Sequence, residues 1–159
     1  MDVDYLDMRT GQVRRGELRD YSKAALAQLD KVYGYGSFRP GQLDAVNAIL
    51  NRHDLIAVMP TGSGKSVCYQ LPALREGSFT IVVSPLRALM RDQVQALQAR
   101  GVAAALIDSG VTPKQRQSIY DTAHGGGLRI LYISPQPSWN AHSSLITTSL
   151  RLHPSDMSA

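Results

Sequence analysis

The sequence has little of what several classes of protein depend on. A single cysteine, Cys68, excludes an internal disulfide and a cysteine metal cluster, and it fits a reducing cytosol. No apolar run approaches the roughly 20 residues of a membrane-spanning helix. The segment Met1-Asp2-Val3-Asp4 lacks the basic and apolar regions of a signal peptide. These absences predict a cytoplasmic protein with no membrane partner.

Size and charge set the remaining limits. At 159 residues and 43% hydrophobic, the chain is long enough for one domain with a core and too short for two full α/β domains. The net charge of +4 and the pI near 9.4 favour a polyanionic partner. Many ordinary domains reach such values, so charge alone identifies no partner.

Strand and helix patterns alternate along the middle of the chain. Ser22 is a candidate cap for a first helix ending near Gly34, and a second helix follows Pro40. Continuous apolar runs of strand length alternate with helical periods after that. The predicted strands are Leu55–Met59, Phe79–Ser84, Ala103–Ile107 and Leu128–Ser134. The pattern predicts an α/β fold with a doubly wound parallel sheet whose strands are buried on both faces.

The same patterns divide the chain into three parts. Residues 1–20 mix both charges with glycine and predict a loosely ordered leader. Residues 21–135 carry the alternating elements of the domain. Residues 136–159 hold six serines, two threonines and no sustained period, which predicts a divergent, disordered tail.

A glycine-rich segment follows the first apolar run and precedes a helical pattern. It reads Thr61-Gly62-Ser63-Gly64-Lys65-Ser66. Glycines let backbone N–H groups turn towards phosphate oxygens, and the N-terminus of the next helix adds fixed positive potential. Lys65 supplies a charge for the β and γ phosphates, and Ser66 a hydroxyl for Mg²⁺. The strict signature has glycine where this chain has Met59, but the strand, loop and helix together predict a nucleoside-triphosphate site.

Several segments in order resemble the first motor domain of a RecQ-type DNA helicase of superfamily two. The resemblance runs from about Leu26 to Pro135 and implies a RecA-like P-loop fold. Its segments are Tyr33–Gln42, Met59–Leu74, Val82–Val94 and Tyr132–Pro135. The last of them continues with glutamate in the family, whereas Gln136 follows here.

The resemblance implies roles for residues outside the loop. In the family, a glutamine at the position of Gln42 reads the adenine edge, an aromatic at that of Tyr35 stacks on the base, and Arg39 assists. Together with the loop, it predicts ATP and Mg²⁺ as cofactors. The expected nucleotide-binding residues are Tyr35, Arg39, Gln42, Thr61, Gly62, Ser63, Gly64, Lys65 and Ser66, with Ser66 reaching Mg²⁺ through the nucleotide.

The segment Val82–Val94 resembles the part of the family that contacts the sugar-phosphate backbone of a single DNA strand. It implies that Ser84, Pro85, Arg87 and Arg91 bind nucleic acid. DNA is therefore the expected partner, in the nucleoid or nucleus where the full-length protein acts. Considered one at a time, these residues are equally typical of an ordinary strand end followed by the solvent-exposed face of a helix.

The carboxylates needed for hydrolysis are missing from this chain. ATP hydrolysis needs an aspartate for Mg²⁺ and a glutamate for the attacking water, which the family supplies in an Asp-Glu-Ala-His motif beyond Pro135. The chain has two glutamates, Glu17 and Glu76, and its only acid after Pro135 is Asp156. We expect that this chain also lacks the family's second motor domain. We therefore expect an ATP-binding portion of a 3'-5' DNA helicase with an incomplete catalytic set, inactive alone.

Two other functions stay open at this stage. The chain is alternatively a small self-contained P-loop NTPase or kinase that uses another carboxylate, such as Asp108 after the strand Ala103–Ile107. It is otherwise a non-catalytic module that docks on DNA or on a helicase partner through residues 84–94. Substrate-dependent ATP hydrolysis distinguishes the first, and binding that does not need Lys65 distinguishes the second.

Overall fold

The computed structural model of the chain describes residues 2–7, 12–17 and 19–135, the first two segments as backbone only. The chain divides into two compact units, Met1–Arg75 and Glu76–Ala159. No helix in the described ranges is long and apolar enough to cross a membrane. The predicted tail, residues 136–159, lies outside the described residues.

In the first unit, the first described elements are two paired strands. Strands β1 (Asp2–Asp7) and β2 (Gln12–Glu17) pair antiparallel, with Asp4 opposite Arg15. The structure differs here from the loosely ordered leader expected over residues 1–20. Val3 and Tyr5 alternate with aspartates in β1, and this period of two is typical of strands. The mixed charges of this segment suggested disorder, although its alternation of apolar and charged residues is a strand pattern.

Three helices build the core of the first unit. They are α1 (Ser22–Tyr33), α2 (Gln42–Leu50) and α3 (Lys65–Ala73). Their apolar faces meet in one cluster made of Ala25, Leu29, Val46, Val67 and Leu71. As predicted, α1 ends at Gly34, which adopts the left-handed conformation that glycine favours. Ser22 is the first helical residue rather than the cap, and its hydroxyl donates to Asp20.

The apolar run Leu55–Met59 forms no strand, so the predicted doubly buried strand is wrong. Ile56 is 77% exposed and Val58 is 94% exposed. An extended segment becomes a strand only when neighbouring backbone pairs with its N–H and C=O groups. Within the described ranges, no segment pairs with this run. The composition of Leu55–Met59 suits a central strand, but the described residues provide no neighbouring strand for it.

The second unit contains a parallel three-stranded sheet. Its strands are β3 (Thr80–Val83), β4 (Ala104–Ile107) and β5 (Ile130–Ile133), in the order β3-β5-β4. Helix α4 (Arg87–Ala99) connects β3 to β4, and helix α5 (Pro113–His124) connects β4 to β5. In the register, Ile130 of β5 lies opposite both Thr80 and Ala104. The last three predicted strands are confirmed; β3 and β5 are shorter than predicted at both ends, and β4 begins one residue later.

Helices cover this sheet as the α/β prediction requires. Every residue of the central strand β5 is buried, and Tyr132 is 1% exposed. Helix α4 buries Met90, Val94 and Leu97, while α5 packs Ile119 and Ala123 against the cluster around Leu131. A parallel strand covered on both faces explains the continuous apolar run in its sequence. The predicted α/β class with a parallel sheet and flanking helices is confirmed.

Helix α5 begins at a capping box formed by Thr112 and Gln115. The Thr112 hydroxyl accepts the Gln115 N–H at 3.3 Å, and the Gln115 Oε1 accepts the Thr112 N–H at 3.0 Å. Pro113 occupies the first turn, where its missing N–H costs no hydrogen bond. The last turn of this helix is Asp121-Thr122-Ala123-His124, which partly resembles the Asp-Glu-Ala-His motif of the family. The catalytic acids of that motif follow a strand, whereas these residues lie in a helix.

Candidate functional site

The glycine-rich loop makes a tight turn before α3. Gly62 and Gly64 both have φ of 78°, a left-handed conformation that other residues adopt only with strain. The Ser63 N–H donates to the Pro60 carbonyl at 3.3 Å, which closes the turn. Gly64 is the first flanking residue of α3, and no side chain caps that end of the helix. The Val67 N–H is already paired with the Gly64 carbonyl at 3.1 Å, so the earlier N–H groups, those of Lys65 and Ser66, are the ones that could bind an anion.

Lys65 is folded back over this turn. Its Nζ donates to the carbonyls of Met59 at 2.7 Å and Pro60 at 2.9 Å, and the residue is exposed. Ser66 follows in the first turn of α3 and is half-buried. An exposed ammonium, an uncapped helix end and a hydroxyl together match the donors that a triphosphate with Mg²⁺ requires. The residues present therefore fit this group: Thr61 to Ser66 would hold the phosphates, and the Ser66 hydroxyl would reach the metal.

Gln42 is bonded directly to the phosphate loop. Its side chain is 4% exposed, and its Nε2 donates to the carbonyls of Ser63 at 3.1 Å and Gly64 at 2.9 Å. Its Oε1 accepts the Arg39 N–H at 2.8 Å. Both N–H donors of the amide are thus committed to the loop, while Oε1 keeps one lone pair. The buried amide fixes the start of α2 against the turn.

Arg39 reinforces the same contact, while Tyr35 stands apart from it. The Arg39 Nη1 donates to the Gly62 carbonyl, so Arg39 and Gln42 together engage three consecutive loop carbonyls. Tyr35 is 52% exposed, and its ring stacks on Tyr33 with centroids 6.1 Å apart. Its described ring contact is therefore with α1 and not with the loop.

The nucleic-acid residues expected from the sequence lie between β3 and α4. Ser84 continues β3 by donating its N–H to the Ile133 carbonyl at 3.2 Å, and its Oγ accepts the Leu86 N–H at 3.2 Å. This turn, with Pro85 inside it, leads into α4, whose N-terminus also lacks a side-chain cap. Arg87 and Arg91 follow one helical turn apart on α4.

Both arginines contact a residue whose role the sequence did not reveal. The Arg87 Nε and the Arg91 Nη2 donate to the same Oδ2 of Asp108, at 3.3 and 2.8 Å. The Gly110 N–H donates to Oδ1 at 2.8 Å. Burial raises the pKa of the Asp108 carboxyl, but the hydrogen bonds and the arginine charges outweigh burial and hold that pKa below its ordinary value. Asp108 therefore stays ionised as the partner of two cations.

This arrangement bears on the alternative in which Asp108 serves a small NTPase. Asp108 is 2% exposed, and both of its oxygens already accept hydrogen bonds. A carboxylate that holds Mg²⁺ needs an oxygen open to the ion. Across the described ranges, no group of three or more histidine, cysteine or acidic side chains is placed to hold a metal. The geometry favours an organising role for Asp108.

The comparisons with known proteins agree on one family. The family model described as "DEAD/DEAH box helicase" matches residues 39–150. The chain is 48% identical over 112 residues to the "ATP-dependent DNA helicase RecQ" of Haemophilus influenzae, covering 70% of this chain and 18% of that protein. It is 42% identical over 125 residues to the "ATP-dependent helicase SGS1" of Saccharomyces cerevisiae, covering 76% of this chain and 9% of that protein. The chain thus spans less than a fifth of the length of either relative.

The Gln42 contact leads to a stability prediction for the two glycines of the turn. A Cβ at Gly64 would lie 2.6 Å from the Gln42 Nε2, whereas one at Gly62 meets nothing within 4 Å. Both glycines have the same φ, so Gly62→Ala should cost about 1–2 kcal/mol of strain. Gly64→Ala should cost about 1–3 kcal/mol more in urea unfolding, because it drives a buried amide off its carbonyls.

Removal of the amide supplies the control for this prediction. In a Gln42→Ala background, Gly64→Ala and Gly62→Ala should destabilise the chain equally, since the side chain that meets the new methyl group is gone. Equal costs of the two alanines in the parent chain would show that Gln42 does not brace the loop.

Proposed function

Because the chain belongs to the DEAD/DEAH box helicase family, on its RecQ-type branch, we propose that it binds Mg²⁺-ATP as the ATP-binding portion of a 3'-5' DNA helicase. The observation that carries the proposal is the phosphate turn with the Gln42 amide bonded to it. Family members share an ATP-dependent motor, and the loop supplies the donors that its phosphates need. The full helicase acts on DNA in the nucleoid or nucleus, in recombination and repair.

The remaining acceptor of the Gln42 side chain, its Oε1, selects the adenine base. Its Nε2 donors are committed to Ser63 and Gly64, so the Oε1 lone pair is the group that remains for a base. Adenine presents an amino donor at position 6, where guanine presents a carbonyl oxygen. An acceptor facing the base therefore favours adenine and repels guanine. Tyr35, half-exposed, offers its ring for stacking, and Arg39 holds the loop.

The second unit contributes the nucleic-acid contacts. Ser84 and Pro85 form the turn into the uncapped N-terminus of α4, and Arg87 and Arg91 lie on its first two turns. Uncapped N–H groups and two guanidinium groups suit the phosphates of a single DNA strand. The isolated chain binds such a strand weakly, because single-strand affinity accumulates over many contacts.

The chain holds nucleotide but does not turn it over. Bound Mg²⁺-ATP supplies the phosphoryl group and the metal, and this chain's residues bind and orient it. No acidic pair ends a strand in the sequence as printed, and no glutamate follows Glu76. A general base contributes roughly 10²- to 10⁴-fold to such a reaction. Without that base, hydrolysis and strand separation by this chain should stay close to background.

Loss of Lys65 should remove most nucleotide binding. Its ammonium is the charge that we expect the β and γ phosphates to bind, and charge-assisted hydrogen bonds are worth about 1.5–3 kcal/mol. Lys65→Ala should therefore weaken Mg²⁺-ATP binding about 10- to 100-fold in titration calorimetry. Lys114→Ala, the same change on the surface of α5, should leave the affinity within about twofold. A Lys65→Ala chain that binds as tightly as the parent would refute the nucleotide site.

Gln42→Ala should reduce the preference for ATP over GTP. The change loosens the loop and so weakens both nucleotides, but only ATP also loses a hydrogen bond to its base. We expect the ratio of the ATP and GTP affinities to fall about tenfold, with Gln95→Ala, an exposed glutamine on α4, leaving the ratio unchanged. Equal losses for the two nucleotides would mean that Gln42 braces the loop without reading the base.

A further inference from the structure

Asp108 lies where it controls the two arginines of the nucleic-acid segment. It follows β4 at the carboxyl edge of the sheet and is 2% exposed, whereas the Arg87 and Arg91 side chains are 48% and 59% exposed. One buried oxygen therefore holds two exposed guanidinium groups. The contacts span 21 and 17 residues of sequence, so the sheet and not the helix brings them together.

We propose that Asp108 is a positioning residue that fixes Arg87 and Arg91 as a single clamp for a nucleic-acid phosphate. This inference rests on the proposed binding of a DNA strand by the second unit. Arg87 and Arg91 carry like charges one helical turn apart, and such pairs repel. A shared carboxylate removes that repulsion and restricts the rotamers of both side chains before any ligand arrives.

The contact with Asp108 leaves most of the donors in place. A guanidinium group has five N–H donors, and Arg87 gives only its Nε to Asp108 while Arg91 gives only Nη2. A phosphate needs two parallel N–H groups from one guanidinium for a bidentate contact. Each arginine therefore keeps enough donors on an exposed side chain, and the buried carboxylate stays out of contact with the ligand.

Gly110 contacts the second oxygen of the Asp108 carboxylate. Its N–H binds Oδ1, and a Cβ at this position would lie 3.2 Å from Oδ1 and 3.7 Å from the Arg91 Nη2. An alanine there must push the carboxylate by a few tenths of an ångström. Gly110→Ala thus disturbs the position of Asp108 without changing the charge of the chain, which makes it a partner to Asp108→Asn.

Two physical effects of Asp108 on DNA binding have opposite signs, so the direction of change is decisive. As a bare negative charge, Asp108 repels phosphates, and Asp108→Asn would then tighten binding. As a positioning residue it orders the arginines, and Asp108→Asn would then weaken binding even though the chain gains a positive charge. Gly110→Ala separates the two effects, since charge alone predicts no change and positioning predicts a loss.

The experiment measures the binding of a fluorescent single-stranded oligodeoxynucleotide to the whole chain by anisotropy, at several salt concentrations. We expect Asp108→Asn to weaken binding about tenfold and Gly110→Ala about threefold, with a shallower dependence on salt for Asp108→Asn because fewer phosphates are neutralised. Asp121→Asn, the same charge change on the exposed face of α5, should not weaken binding. In an Arg87→Gln, Arg91→Gln background, Asp108→Asn should have no further effect.

Each other result contradicts a stated part of the account. Tighter binding by Asp108→Asn, or a loss that persists without the two arginines, would overturn the positioning role. Parent-like binding by both Asp108→Asn and Gly110→Ala would overturn it while leaving the proposed DNA contact intact. A parent chain that binds no single strand at any salt concentration would overturn the DNA part of the proposed function and this inference with it. If Asp108→Asn does not fold, Gly110→Ala decides alone.

Discussion

The bond between the buried Gln42 amide and the glycine-rich loop is the contact on which the proposed nucleotide site depends. The turn contains two glycines in the left-handed conformation, which glycine adopts without strain but also leaves easily, so contacts to the loop carbonyls hold the turn in one shape. Gln42 holds those of Ser63 and Gly64, and Arg39 holds that of Gly62. The residues that resemble an adenine motif therefore also shape the glycine-rich loop, and in the proposed function this contact would couple recognition of the base to the site for the phosphates.

The second unit uses the same device with a charge in place of an amide. A buried acceptor, Asp108, collects Arg87 and Arg91 from another element and fixes them at the edge of the parallel sheet. In both units, a polar side chain that solvent barely reaches organises exposed groups suited to phosphates. A buried polar group is costly unless it is hydrogen-bonded. Gln42 and Asp108 therefore fix the geometry of their partners more strictly than an exposed pair on the surface would.

Local patterns were the part of this molecule that the sequence could predict. The capping box of α5, the left-handed Gly34 and the three strands of the sheet each follow from a few neighbouring residues. The strand predicted over Leu55–Met59 does not form, because a strand needs a neighbouring strand to pair with and a local pattern cannot show whether one is present. The loop carbonyls that Gln42 binds and the arginines that Asp108 binds lie about twenty residues away along the chain, so local sequence did not indicate these contacts.

The central claim is that this chain holds ATP in a formed phosphate loop without the carboxylates that hydrolyse it. The most direct measurement is the rate of phosphate release from Mg²⁺-ATP by the purified chain, with and without single-stranded DNA, beside a Lys65→Ala chain prepared in the same way. The account predicts that the two chains release phosphate at the same background rate and that DNA stimulates neither. Phosphate release that is faster in the parent and lost in Lys65→Ala would contradict it.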